Sequence, residues 1–288
     1  MASNNSFRGT ILNTLKHNKD GSFTTQANRK SILLQINKEL ASLGFDKVSA
    51  TNFGNKHFYA LRDYYQKKEL SVATIKNRFA CLRWLGAKLG KDLIDNQKLE
   101  LENRKYSDNT KNKAKDIDFS KLEKLTERQQ LAIQLQREFG LRREESLKFQ
   151  PSFADKGDKL ELKSSWTKGG RARIIPIRTE KQRALLERVK KVTGKGSLIE
   201  QEKSYKQAME SFTTNCQRAE IKNVHGYRHA YAQQRYKDLT GRDCPKVGGL
   251  VSKELSVEQK AQDYDTRMII SEELGHGREE ITVQYLGR

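Results

Sequence analysis

Between Glu102 and Asp116 the chain runs Glu-Asn-Arg-Lys-Tyr-Ser-Asp-Asn-Thr-Lys-Asn-Lys-Ala-Lys-Asp and offers almost nothing to bury. Such a stretch cannot offset the entropy of being packed, so residues 102–116 read as a linker between two folding units. Either flank is long enough to bury a core of its own. The expected division is a helical unit over 1–101 and a larger unit over 117–288.

The charge balance narrows what such a pair of units can meet. Lys and Arg number 56 against 36 Asp and Glu, a formal +20 with a pI near 9.8. An excess of that size predicts a polyanionic partner, bound through release of the counterions condensed on it. Nucleic acid is the first candidate. An anionic membrane surface would need a basic amphipathic segment, a lipidation signal or a long apolar run, and the sequence carries none. The N-terminus Met-Ala-Ser-Asn-Asn-Ser has no apolar signal core, so a cytoplasmic protein is expected. Cys81, Cys216 and Cys244 are odd in number and widely spaced, which argues against a disulfide framework and a zinc site alike.

In the first hundred residues, Ile32, Leu33, Ile36, Leu40 and Leu43 recur at helical steps and stop at Gly44. A second helical pattern spans roughly 56–68 with Phe58, Leu61 and Tyr65, and a third opens at Ser71 and aligns Val72, Ile75, Phe79, Leu82 and Leu89. The polar side of the third helix holds Thr74, Lys76, Asn77, Arg78 and Arg83. Any one of these can be a solvated surface residue. Their accumulation with few carboxylates suits phosphates and a base edge, so this face is expected to contact DNA. A basic linker behind it can be an inert tether, or a hinge that closes two lobes around a duplex.

The second unit opens with Thr126-Glu-Arg-Gln129, at capping-box spacing, and a helix through Leu131, Leu135 and Phe139 to Gly140. Arg142 follows at once, with Glu145 one turn on and able to hold it. Leu160 to Trp166 alternates as a strand, Lys168-Gly-Gly-Arg171 supplies turn chemistry, and Ala172 to Ile177 reads as the return strand. His225-Gly-Tyr-Arg228-His229 lies in a helical pattern, with His225 and Arg228 on one face. Near the end come Leu274-Gly-His276 and, nine residues later, Tyr285. Taken singly, each piece is a common helix-end arginine, turn lysine or packing tyrosine.

In this order the set resembles the tyrosine recombinase (phage integrase) family, over about 115–288, with N-terminal helices similar to that family's core-binding, SAM-like domain. The fold implied is mainly α with a small antiparallel β-hairpin: a helical core-binding domain, then a mixed α+β catalytic domain. The resemblance implies that Tyr285 attacks a DNA phosphodiester. The pentacoordinate phosphorane gains negative charge, and Arg142 and Arg228 are forks that clamp it without losing their protons. A phenol ordinarily titrates at about 10 and so needs help to lose its proton, with His225 as the candidate base. Lys168 is implied as the acid for the departing 5′-oxygen, His276 as a further hydrogen-bond donor, and Glu145 and His229 as supports. The bond energy is kept in a 3′-phosphotyrosine, so no cofactor or metal is implied. The implied partners are double-stranded DNA, a homotetramer on it, and accessory DNA-bending proteins.

Two departures from the family stand out. The spacing from Arg228 to His276 is about twice the usual one, with extra sequence around 241–263 containing Pro245, Gly248 and Gly249. It reads as a tolerated surface loop more readily than as a protomer contact or DNA clamp. Only three residues follow Tyr285, so exchange of a C-terminal segment between protomers is expected to be absent or made otherwise, and Tyr285 to be poorly placed for attack without DNA. The expected activity is site-specific recombination for a mobile element. A type IB topoisomerase-like relaxing enzyme and a non-catalytic DNA-binding protein are the alternatives.

Overall fold

The computed structural model describes residues 6–104, 108–167 and 169–288. It divides into two compact units, Met1–Lys105 and Tyr106–Arg288.

The first unit is helical: α1 (Phe7–His17), α2 (Phe23–Ser42), α3 (Asn55–Lys67) and α4 (Val72–Lys88). The Ser71 hydroxyl caps α4 by accepting from the Thr74 amide at 3.2 Å. Ile75, Phe79, Leu82 and Leu85 then repeat at helical spacing and turn one face of α4 into the core. They meet Leu33, Ile36 and Leu40 of α2, Phe58, Leu61 and Tyr65 of α3, and Phe7 and Ile11 of α1.

The second unit holds α5 (Phe119–Leu122), α6 (Glu127–Phe139), α7 (Arg143–Lys148), α8 (Pro151–Ala154), β1 (Lys159–Leu162), β2 (Arg173–Pro176), α9 (Glu180–Thr193), α10 (Tyr205–Arg218), α11 (Gly226–Thr240), α12 (Val257–Glu273) and α13 (Val283–Leu286). The two strands pair antiparallel, with Leu160 opposite Ile175 and Leu162 opposite Arg173. They are shorter than the expected 160–166 and 172–177, because residues 164–166 turn into a 3-10 helix that buries Trp166. The tip between them contains Lys168, which lies outside the described residues.

Three other expectations are corrected. Thr126 makes no capping bond, because the Gln129 amide instead donates to Ser211 Oγ (3.3 Å) and accepts from Asn215 Nδ2 (3.1 Å) on α10. Residues 108–116, expected to be linker, are strapped to the second unit. Lys115 N donates to Gly226 O (3.1 Å), and the Asn112 side-chain oxygen accepts from Gln233 Nε2 (2.8 Å). Polar side chains and carbonyls thus fasten a segment that has little to bury. The 241–263 segment is built into the unit as well. Cys244 is fully buried, Lys246 Nζ reaches the carbonyls of Asp108 (3.3 Å) and Lys111 (3.2 Å), and Asp263 lies within α12, accepting from Tyr236 OH at 2.6 Å.

Truncating the centre of the first core tests its assignment. Phe79→Ala is expected to destabilise the protein by about 3–5 kcal/mol in urea denaturation, the cost of removing a fully buried ring and leaving a cavity.

Candidate active site

The site forms where the C-terminal ends of two helices converge. Gly140 closes α6 at φ +62°, and a Cβ there would lie 2.5 Å from the Tyr231 ring, so only glycine fits both the backbone and the packing. Its carbonyl, and that of Leu274 at the end of α12, both accept from the guanidinium of Arg228 on α11. Helix C-termini are electronegative, so these carbonyls suit a cation that has no solvent left. Arg228 is completely buried. Burial pushes its guanidinium down to about 10, still charged at neutral pH.

Arg142 is the residue entering α7. Its backbone amide donates to Glu145 Oε2 (2.6 Å), its Nη1 to Glu145 Oε1 (2.8 Å) and its Nη2 to Leu274 O (3.2 Å). Glu145 is fully buried and also receives both Nη atoms of Arg173, at 2.7 and 2.6 Å. Burial alone would push Glu145 up, but the guanidiniums of Arg173, Arg228 and Arg142 outweigh it and hold the carboxyl at about 2. Arg173 went unrecognised in the sequence. Its signal was a cation two residues before Ile175, hence on the buried face of a strand, where a charge demands a partner.

Tyr285, on α13, points its hydroxyl into this cradle. The oxygen is 3.3 Å from Arg228 Nε and 3.3 Å from His276 Nε2, and the residue is 4% exposed. Its ring packs on His229 (centroids 4.6 Å), with His225 and His276 at 6.1 and 6.0 Å. Arg142, His225, Arg228, His276 and Tyr285, with Glu145 and His229, are therefore gathered at one place. Several parts of the second unit hold Tyr285 and the residues after it. Gln233 Nε2 holds the Tyr285 carbonyl (3.0 Å), Arg267 Nη1 the Gly287 carbonyl (2.9 Å) and Asn109 Nδ2 the Arg288 carbonyl (2.8 Å), so the strap and α12 supply the anchor.

The hydrogen bonds refine the division between the histidines. His276 Nε2, not a nitrogen of His225, is the described ring atom within hydrogen-bond distance of the Tyr285 hydroxyl. Arg228 can only donate to His276, so a Nε2 that accepts from it corresponds to the tautomer protonated on Nδ1. His229 is buried with its Nδ1 unpartnered among the described residues. Burial and the neighbouring cations push His276 and His229 down to about 3. His225, exposed at the surface, is pushed to about 4 by desolvation and by Arg228, Arg142 and Lys113, with Glu145 opposing them.

The five residues expected to face DNA on α4 divide differently. Thr74 and Asn77 are exposed and Lys76 half-buried. Arg78 is committed to Glu39 (2.7 Å) and Arg83 to Ile94 O (2.9 Å) and Asn96 Oδ1 (2.6 Å), so these two guanidiniums hold the unit together. Half-buried cations on a packed helix find internal partners before external ones.

The depressed histidines set a pH dependence. A histidine ordinarily titrates at about 6.5, so an unfolded chain takes up protons below that pH while the folded site refuses them. Their contribution to stability is full above pH 6.5 and is lost as pH falls toward 4. Glu145, held near 2, does not titrate in this window. The thermal midpoint of the DNA-free protein is therefore expected to fall between pH 6.5 and 4.5, and His229→Gln to flatten that fall. A midpoint independent of pH across the window contradicts the arrangement.

Comparison with known proteins places this geometry. Residues 9–94 match the model for the phage integrase N-terminal domain, and residues 94–234 match the integrase model. No curated protein matches the sequence. The fold is similar to a lambda integrase dimer bound to a COC′ core site, with TM-score 0.63 and 14% identity over 98% of this chain and 78% of that one. It is also similar to the Tn1549 transposon integrase in complex with transposon right end DNA, with TM-score 0.58 and 12% identity over 98% and 95%. A lambda integrase tetramer bound to a Holliday junction matches with TM-score 0.56 and 14% identity over 82% and 72%. With both units matched by integrase models, the chain belongs to the tyrosine recombinase, or phage integrase, family.

Proposed function

We propose that the protein is a site-specific DNA recombinase that cleaves and rejoins strands through a 3′-phosphotyrosyl intermediate at Tyr285. The observation that carries this reading is the Tyr285 hydroxyl, 3.3 Å from both Arg228 Nε and His276 Nε2. In the proposed reaction the phenolic oxygen forms a bond to phosphorus and the bond to the 5′-oxygen breaks. The phenolic proton passes to His276 Nε2, which is neutral at pH 7 and already shares a hydrogen bond with the hydroxyl. His225, at the open edge, faces the incoming phosphoryl group. Arg142 and Arg228 hold the equatorial oxygens, where charge grows in the transition state. Lys168, which the family resemblance implies as the acid for the 5′-oxygen, is retained in that role. One phosphoester replaces another, so rejoining needs no nucleotide.

Lambda integrase on a core site and on a Holliday junction, and the Tn1549 integrase on transposon DNA, support a mobile-element role for this chain. The lambda integrase tetramer on a Holliday junction also supports assembly on DNA as a homotetramer, and accessory DNA-bending proteins are proposed as further partners on the family resemblance alone. On the first unit, Thr74, Lys76, Asn77, Arg78 and Arg83 remain the proposed DNA contacts of α4, with Arg78 and Arg83 also bonded within the unit. The formal +20 supplies the sequence-independent part of binding, which weakens steeply with salt.

A nicked duplex carrying the protein's own site traps the intermediate. The wild type is expected to give a covalent adduct on a denaturing gel, and Tyr285→Phe none, with unchanged binding. Arg228→Lys, which keeps the charge and loses the fork, is expected to slow cleavage by about 10²–10³-fold. Binding without any adduct would leave a non-catalytic DNA-binding protein. Relaxation of supercoiled plasmid at no defined site would assign a topoisomerase.

A further inference from the structure

We propose that Arg173 is a positioning residue of the strand-transfer reaction: by taking both oxygens of Glu145 it limits Arg142 to a single side-chain bond with that carboxylate and keeps the remaining N–H groups of Arg142 for the scissile phosphate. This rests on the recombinase reading and names a further part of its site.

Glu145 has no exposed surface, and a carboxylate so placed must be neutralised by a cation. Two arginines reach it. Arg173 takes it fork to fork, with Nη1 on Oε1 at 2.7 Å and Nη2 on Oε2 at 2.6 Å, and its side chain is 4% exposed. Arg142 gives it one side-chain bond, from Nη1, and its side chain keeps 19% exposure. The inner arginine therefore satisfies the carboxylate while the outer one keeps part of its surface exposed. Without Arg173, Glu145 has one cation in reach for a bidentate pair, Arg142, and that pairing turns the fork away from the substrate.

Charge leads to the same assignment. Arg142, Arg173 and Arg228 against Glu145 leave a formal excess of two positive charges beside neutral histidines. A phosphodiester carries one negative charge, and the phosphorane formed by tyrosinate attack carries two. The cradle is thus matched to the transition state rather than to bound DNA, which is the condition for speeding the chemical step. Arg173 also seats the loop that carries His276. Gly275, at φ +71°, has no Cβ, and one built there would lie 3.0 Å from Arg173 Nη1 and 3.1 Å from its Cδ. The glycine of Leu274-Gly-His276 is there to lie across this side chain.

The test is a charge-compensation cycle read by single-turnover cleavage of a nicked duplex and by DNA affinity. Arg173→Met is expected to slow cleavage by about 10²-fold, as for loss of one oriented donor, with affinity within about threefold of wild type. Arg173→Lys, which keeps the charge and loses the fork, should fall between the two. The decisive variant is Glu145→Gln with Arg173→Met, which removes the anion together with its counter-charge. It is expected to cleave about tenfold faster than Arg173→Met alone, the non-additivity of a shared interaction. A purely structural arginine predicts a further loss, so a double variant no faster than the single one overturns the proposal, as does Arg173→Met cleaving within threefold of wild type. If Arg173→Met does not fold, activity of the double variant supports the proposal and its inactivity overturns it. Orthovanadate provides an arm that needs no turnover: its stabilisation of the thermal midpoint should shrink in Arg173→Met and return in the double variant. A wild type that binds vanadate in this pattern and forms no adduct would sink the recombinase reading and leave the role of Arg173 standing.

Discussion

Glu145 has given up all of its solvent, and a carboxylate in that position stays ionised only because arginines surround it. The rest of the site is arranged around that need. Its oxygens receive the α7 entry through the backbone and side chain of Arg142, and strand β2 through Arg173. One anion therefore ties a helix start to a hairpin, with the Leu274 carbonyl joining Arg142 and Arg228 to the end of α12. Such buried pairs contribute little net stability, since desolvation consumes most of the attraction.

A second constraint is the anchoring of the nucleophile. A short terminal helix has few contacts of its own, and α13 gains its placement from four separate parts of the chain. The 108–112 strap holds its carbonyl end, Gln233 of α11 holds Tyr285, Arg267 of α12 holds Gly287, and the 241–256 segment brings Pro245 against Gly287. The segment after α11 thus lies against the residue that follows α13. The hydroxyl so placed hydrogen-bonds Arg228 and His276.

Much of the fold and of the site was legible from residue types and order. Helical repeats such as Ile75-Phe79-Leu82 marked the first core, because a 3.6-residue period has one way to bury itself. The glycine before Arg142, the His225–Arg228 spacing and the late tyrosine marked the site because each serves a geometric or chemical need. Arg173 was missed because a cation on a strand reads as solvent-facing until the strand's inner face is known. The internal partners of Arg78 and Arg83 are not legible in the sequence, because Glu39, Ile94 and Asn96 lie 11 to 39 residues away.

By itself the sequence determined the family and the mainly helical fold, and it supplied the residues proposed to clamp a phosphate and attack it, since these follow from local periodicity and ordered chemistry. Tertiary structure alone decided which arginine is shielded and which is presented, and which histidine meets the tyrosine. It also turned a stretch with nothing to bury into a strap. The physical reason is the same in each case. Desolvation and hydrogen-bond pairing depend on what lies across the fold, and the distance between two residues along the chain does not encode it.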